Sequence, residues 1–266
     1  MIDCGKRSVV GVMVDAVDYD AALSRILEAA HHRRSYTVSA LAVHGVMTGV
    51  QSEAHKFRLN SFDLVVPDGQ PVRWALNWVH GMGLTDRVYG PRLTLHALEM
   101  AAKEQLSVYF YGSTGLILEK LILRLKRLYP TLIVAGTAPS KFRTLDADER
   151  VALAEHIVES GASIVFVGLG CPRQEVFVYE MRNVLPMPML AVGAAFTFIA
   201  GELTQAPEFM QRNGLEWLFR LGMEPRRLWR RYFLLNPHYL LLLAGQLIGR
   251  RFSTAGREPV TELRHG

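Results

Sequence analysis

The chain has 266 residues, half of them hydrophobic and 21% charged, which supplies a large folded core and argues against disorder. Against 25 acidic residues stand 30 Lys and Arg, a net charge of +5 that points to an anionic partner: a nucleotide, a nucleic acid or a membrane surface. The two cysteines, Cys4 and Cys171, are too few and too far apart for a disulfide framework or a zinc knuckle.

In chain order, β-branched and apolar runs at 9–14, 36–43, 62–66, 107–111, 132–136, 163–168 and 189–193 read as strands. Helical periodicities fill the gaps at 21–31, 70–79, 93–104, 116–128, 147–159 and 174–184. Strand and helix in alternation predict an α/β fold, a doubly wound, mostly parallel, Rossmann-like sheet over residues 1–205. Beyond residue 206 the alternation stops. Helical patterns opening with proline at Pro207, Pro225 and Pro237 predict a helical appendage over 206–252, and 253–266 reads as a disordered tail.

The first 20 residues break their apolar stretch at Asp15 and Asp18, unlike a secretory signal. No window reaches the ~18 apolar residues of a spanning helix. The nearest, 232–248, holds Asn236, Pro237, His238 and Gln246. The expectation is a cytoplasmic protein able to touch a membrane.

In such sheets, ligands bind where strands end. Asp68 follows the strand FDLVV and reads either as a general base or as the N-cap of the helix from Gln70. Gly112-Ser113-Thr114-Gly115 follows SVYFY, and Gly193-Ala194-Ala195-Phe196 follows MLAV; small residues at both places suit close backbone approach. In VFVGLGCPRQE, Gly168-Leu169-Gly170 turns a buried strand towards a helix with Pro172 in its first turn. Free amides beside Arg173 there could seat a diphosphate, or the segment is an ordinary βα turn. Asp18-Tyr19-Asp20 and Asp146-Ala147-Asp148 match metal-binding Asp-x-Asp patterns, but each precedes a helix that it could simply cap.

In EPRRLWRRYF, Arg226/Arg230 and Arg227/Arg231 stand four apart on one helix with aromatics interleaved, ahead of YLLLLAGQLI. That pattern suits a solvated basic face, an interfacial helix against anionic lipid, or a diphosphate clamp. No RNA-binding motif accompanies it, so nucleic acid is not the expected partner.

Asp68 in VVPDGQPV, Arg87 and Gly90 in DRVYG, Gly112 in YFYGS, then VGLGCPRQE, AVGAAFTFIAG and QAPEFMQRNGLEWLFRLGMEPRRLWRR resemble, in order and spacing, the WecG/TagA/CpsF glycosyltransferases over about residues 36–235. The resemblance implies inverting transfer of a hexosyl or N-acetylhexosaminyl group from a UDP-sugar to an undecaprenyl-diphosphate-linked saccharide, in cell-envelope or exopolysaccharide synthesis. It implies no metal and no cofactor, and a peripheral position on the inner face of the plasma membrane. The family's proposed base falls on Asp68. Its appendage arginines, thought to close over the site, match Arg220, Arg227 and Arg230. Substrate contacts would come from Ser39, Arg87, Gly90, Gly112, Gly168, Gly170, Arg173, Gln174 and Gly193.

Three polar positions depart from the family pattern. Ser39-Ala40-Leu41 replaces Thr-x-Asn, Arg92 stands at an aspartate position, and Thr197 replaces the aspartate of GAAFDF. These departures leave the donor sugar open and motivate an alternative, a non-catalytic nucleotide-sensing or scaffold subunit. A homo-oligomer is compatible with either reading.

Overall fold

The computed structural model describes residues 1–260 and 265–266; the side chains of Arg227 and Arg231 lie outside the described residues. The chain opens with β1 (Asp3–Val9), β2 (Val12–Val17) and α1 (Tyr19–His31). Next come β3 (Tyr36–Leu41), α2 (Val43–Gln51), α3 (Glu53–Asn60), β4 (Leu64–Pro67), α4 (Gln70–His80) and α5 (Gly90–Lys103). The second half of the sheet region holds β5 (Val108–Gly112), α6 (Gly115–Leu128), β6 (Val134–Ala138), α7 (Ala147–Glu159), β7 (Ile164–Gly168), α8 (Arg173–Met181), β8 (Pro188–Ala191) and α9 (Ala195–Ile199). The C-terminal helices are α10 (Glu208–Arg212), α11 (Glu216–Met223), α12 (Pro225–Arg230), a π-helical turn (Arg231–Leu235) and α13 (Asn236–Leu247).

Six strands form one parallel sheet in the order β4-β3-β8-β7-β5-β6. Its central strands are apolar on both faces, as a sheet covered by helices on each side requires. Along β5, Tyr109 and Tyr111 enter the core beneath α7 and α8, while Val108 and Phe110 face α5 and α6. Along β7, Val165 and Val167 take the first side and Ile164 and Phe166 the second. The doubly wound expectation holds. The direction of winding reverses between β3 and β8, and the cleft of an open α/β sheet lies at that reversal.

At the ends of β5 and β7, Gly112 pairs with Gly168. A Cβ on Gly168 would stand 2.6 Å from the buried Phe196 ring, and one on Gly112 2.8 Å from the Gly168 backbone. These glycines let strand ends and α9 pack closely. Gly168→Ala is therefore expected to lower stability by about 1–3 kcal/mol through overpacking, read as an earlier urea midpoint with unchanged slope. A change under about 0.5 kcal/mol would show that Phe196 moves aside freely.

The structure differs from expectation at the amino end. The strand expected at 9–14 is interrupted by a turn at Val10-Gly11: Val9 ends β1 and residues 12–14 open the antiparallel β2, with Val9 opposite Val12. Val10 (φ 46°) and Gly11 (φ 93°) both have positive φ, as the two central residues of a type I′ hairpin turn must. Asp15 of β2 is buried, accepts the Val65 N–H of edge strand β4 at 2.8 Å and pairs with Arg25 at 3.1 Å. The hairpin thus covers that end of the sheet.

The run expected as strand to residue 43 stops at Leu41, and α2 begins at Val43. The helix expected from Pro207 breaks at Asn213-Gly214, where Gly214 packs on Trp74. The last helix is tied back onto the core. Buried Tyr239 donates to Pro71 O at 3.0 Å, and Gln246 bonds Ser8 O and Val10 N across the hairpin turn. Further on, Arg257 N donates to Glu53 O, and Thr254 O accepts from Asn60.

Candidate active site

The carboxyl ends of β4, β3, β8 and β7 open into one cavity of about 410 Å³. Its wall includes Leu41 and Ala42 after β3, Asp68 after β4, Gly170, Cys171, Gln174 and Glu175 after β7, and Val192 to Ala195 after β8. Helices α2, α5, α8 and α9 all start at this edge. Their N-terminal ends face the space between them, and the positive ends of their dipoles make it favourable for a polyanion.

Asp68 is not the cap of the helix it precedes: Gly69 holds that position, with no side-chain hydrogen bond. Its backbone N–H donates to Leu41 O at 3.2 Å, and its Oδ1 accepts the Gly90 N–H, the first of α5, at 2.7 Å. Oδ2 accepts no hydrogen bond among the described residues. Burial pushes the carboxyl above its ordinary 3.8, more strongly than Arg87, the Gly90 N–H and Arg220 pull it down; Glu216 adds to the rise. A carboxylate less stable as an anion is a better proton acceptor.

Beside it, Arg87 is buried, stacks over the Tyr89 ring at 4.3 Å and pairs with Glu216 at 2.5 Å. That pair joins the sheet edge to the first turn of α11. Arg87 thereby holds the C-terminal helices against the cavity, a role that spacing alone did not suggest. Arg220, one turn along α11, lines the cavity, lies 5.8 Å from the Phe198 ring, and has a buried Nε with no hydrogen-bond partner among the described residues. An unfilled guanidinium N–H in a cavity is a seat for anionic oxygen.

Arg230 is placed elsewhere: it is exposed, over Trp229 at 5.3 Å, and away from the cavity wall. The Arg227 side chain lies outside the described residues. Arg173 faces Phe142 at 5.9 Å rather than the cavity. Gly112 and Gly168 serve strand packing, as above. Gly170, with φ 78° and open space where a Cβ would be, lines the wall, as does Gly193 against Gln174.

Gln174 and Glu175 brace the turn from behind. Gln174 accepts the Gly170 N–H at 3.2 Å and donates to Glu175 at 2.8 Å, and Ser39 donates to the same Glu175 oxygen at 3.2 Å. Burial pushes the Glu175 carboxyl up against these bonds and a contact with Cys171. The Ser39 hydroxyl thus points to Glu175, and Leu41 presents an apolar wall where the family pattern has an amide. Arg92 lies in a separate small pocket with Tyr19, Asp86, Arg87, Glu208 and Gln211.

Asp18 accepts Ala21 N at 2.9 Å, and Asp146 forms a capping box with Glu149, so both Asp-x-Asp pairs serve as helix starts. His44, on the first turn of α2, lines the cavity and was not singled out from sequence, because α2 was not expected there.

The model of the glycosyl transferase WecG/TagA/CpsF family matches residues 7–253. An N-acetylglucosaminyldiphosphoundecaprenol N-acetyl-beta-D-mannosaminyltransferase of Bacillus spizizenii is 32% identical over 192 residues, 72% of each chain. The protein of the same name from Bacillus subtilis is 27% identical over 186 residues, 70% of each chain.

Proposed function

The chain belongs to the WecG/TagA/CpsF family of glycosyltransferases, and we propose that it moves a hexosyl or N-acetylhexosaminyl group from a UDP-sugar to an undecaprenyl-diphosphate-linked saccharide, inverting and without a metal. One observation carries this reading: Asp68, its carboxyl raised by burial, and Arg220, with an unfilled buried N–H, line one cavity ringed by helix starts.

The donor diphosphate lies along the Gly170–Arg173 turn and the first residues of α2. Asp68 takes the proton of an acceptor hydroxyl, and that oxygen forms a bond to the anomeric carbon from the face opposite UDP. The bond from the anomeric carbon to the UDP oxygen breaks, and its electron pair leaves with UDP. A single displacement inverts the centre. Arg220 faces the charge that grows on the leaving diphosphate, doing by fixed positive charge what a metal ion does elsewhere. The family resemblance assigns Arg227 and Arg230, on the following helix, to the same charge; for Arg230 that role requires the helix to move, because its side chain is exposed outside the cavity wall. Gly90 fixes Asp68, Gln174 and Gly193 shape the donor wall, and Arg87 sets the distance between the sheet and α11.

An acceptor of this class would sit in a membrane, and the reaction with it. Among the described residues no helix is long and apolar enough to cross one. The C-terminal helices nonetheless expose Met223, Trp229, Phe233, Leu234, Leu240 and Leu241 beside Arg226 and Arg230. Apolar side chains among guanidiniums suit the headgroup boundary of an anionic bilayer. This supports a peripheral membrane location; the inner face and a role in envelope or exopolysaccharide assembly rest on the family resemblance.

Thermal unfolding with UDP and EDTA tests the donor site. Ligand at a hundredfold its Kd adds about 2.7 kcal/mol, so the melting temperature should rise by several degrees. A panel of UDP-sugars then identifies the donor by its larger shift. A flat response to UDP and every UDP-sugar would remove the donor reading.

A further inference from the structure

The wall that contains Asp68 and Arg220 has a second side. There Gln70, Arg87, Glu216, Trp217, Tyr232 and Asn236 enclose a smaller pocket of about 90 Å³, which shares Ala42, His44, Asp68, Tyr89 and Arg220 with the larger one. The two pockets differ in chemistry. The larger is ringed by helix starts and small residues, whereas the smaller has aromatic and amide walls. Trp217 and Tyr232 stand 5.8 Å apart at 57°, and Trp217 is 37% exposed.

Gln70 is 4% exposed, at the first turn of α4 between this pocket and the one that holds Arg92, and its Oε1 is buried with no hydrogen-bond partner among the described residues. Arg87 and Glu216 in the same wall already satisfy each other. An orphaned amide oxygen in a pocket wall is costly unless a ligand supplies the missing donor.

We propose that this second pocket is the acceptor-sugar subsite, in which Trp217 packs on the C–H face of one pyranose and Gln70 accepts a hydrogen bond from an N–H or O–H of that sugar. The inference rests on the donor reading of the larger cavity. A single displacement needs its nucleophile on the side of the anomeric carbon away from the diphosphate, and Asp68 lies between the two pockets. At about 90 Å³, against about 410 Å³ for the larger cavity, the pocket has room for part of one sugar ring rather than for a chain. Amphipathic aromatics with a few fixed polar groups are the usual means of orienting such a ligand. The pocket is also walled by the C-terminal helices that expose apolar surface, so a lipid tail linked to the sugar would leave towards that surface.

The test is steady-state kinetics of the full-length protein with its UDP-sugar and, as acceptor, N-acetylglucosamine diphosphate on a short lipid. Trp217→Ala should raise the acceptor KM tenfold or more, while the donor KM and the UDP melting shift stay within twofold of wild type. Trp217→Phe should restore most of the loss. Gln70→Met, which keeps the volume and removes the amide, should raise the acceptor KM severalfold. An acceptor KM within twofold of wild type in Trp217→Ala overturns the subsite, as does an equal rise in donor KM. Wild-type protein that binds UDP yet does not use this acceptor also overturns it. If wild type neither shifts with UDP nor transfers, the donor reading fails first and takes the subsite with it.

Discussion

Asp68→Asn is expected to slow transfer by about 10²–10⁴-fold, the usual contribution of a positioned general base, and to raise the melting temperature. Both effects come from one cause. The carboxyl of Asp68 is pushed above its ordinary 3.8 mainly by burial, so ionising it costs the folded state more than the unfolded chain. At low pH both states hold the proton and the group is neutral to stability. As pH rises from 3.8 through the raised folded value, the unfolded state ionises first, and stability is lost. Above the folded value that loss is complete, and asparagine removes it while its amide oxygen can still accept the Gly90 N–H. The same shift places the acid limb of wild-type activity above the ordinary carboxylate range, because only ionised Asp68 takes a proton. The measurements are kcat with saturating substrates, its pH profile, and thermal melts of both proteins. Transfer within about threefold of wild type would remove Asp68 from the chemistry, and an unchanged or lower melting temperature would mean that Arg87 and Arg220 outweigh its burial.

Arg220→Ala is the second large effect, expected at about 10²–10³-fold in kcat, the loss seen when one preorganised charge stabiliser is deleted. Its Nε is buried and has no hydrogen-bond partner among the described residues, and its guanidinium lies 5.8 Å from the Phe198 ring. A partly desolvated charge acts more strongly than an exposed one on an anion that forms beside it. Arg220→Lys should recover only part of the rate, since an ammonium lacks the planar fork that meets a phosphate with two hydrogen bonds. Because Arg220 has no ion pair among the described residues, the melting temperature without ligand should hardly move, but the upward shift with UDP should shrink. An unchanged kcat together with an unchanged UDP shift would move the charge balance to Arg227 and Arg230.

The legible parts of the chain were those where local rules suffice. Helix α7 appears at the residues its periodicity marked, because Asp146 and Glu149 satisfy its first N–H groups within the same turn. Strands β5 and β7 are apolar at every position, which only a sheet buried on both faces allows. Asp68 at the end of its strand and the Gly168–Gly170 turn were visible for the same reason. Helix α2 was not, since VHGVMTGVQ is rich in glycine and β-branched residues and its N-cap, Ala42, makes no side-chain bond. The hairpin turn at Val10-Gly11 was hidden because valine disfavours the left-handed region it occupies.

By itself, then, the sequence determined the layers, the strand ends at which ligands meet the sheet, and the family to which the motifs belong. Only the tertiary structure decided which charges remain available. Arg87 and Glu216, 129 residues apart, neutralise each other across the sheet edge, whereas Arg220 faces the cavity unfilled and Arg230 faces out. It also brought Gln70 and Trp217 into the wall of one pocket and drew Ser39 to Glu175. Periodicity and capping act within a turn or two of the chain and can be read residue by residue. Desolvation and pairing depend on what the finished fold brings within a few ångströms, which spacing along the chain does not encode.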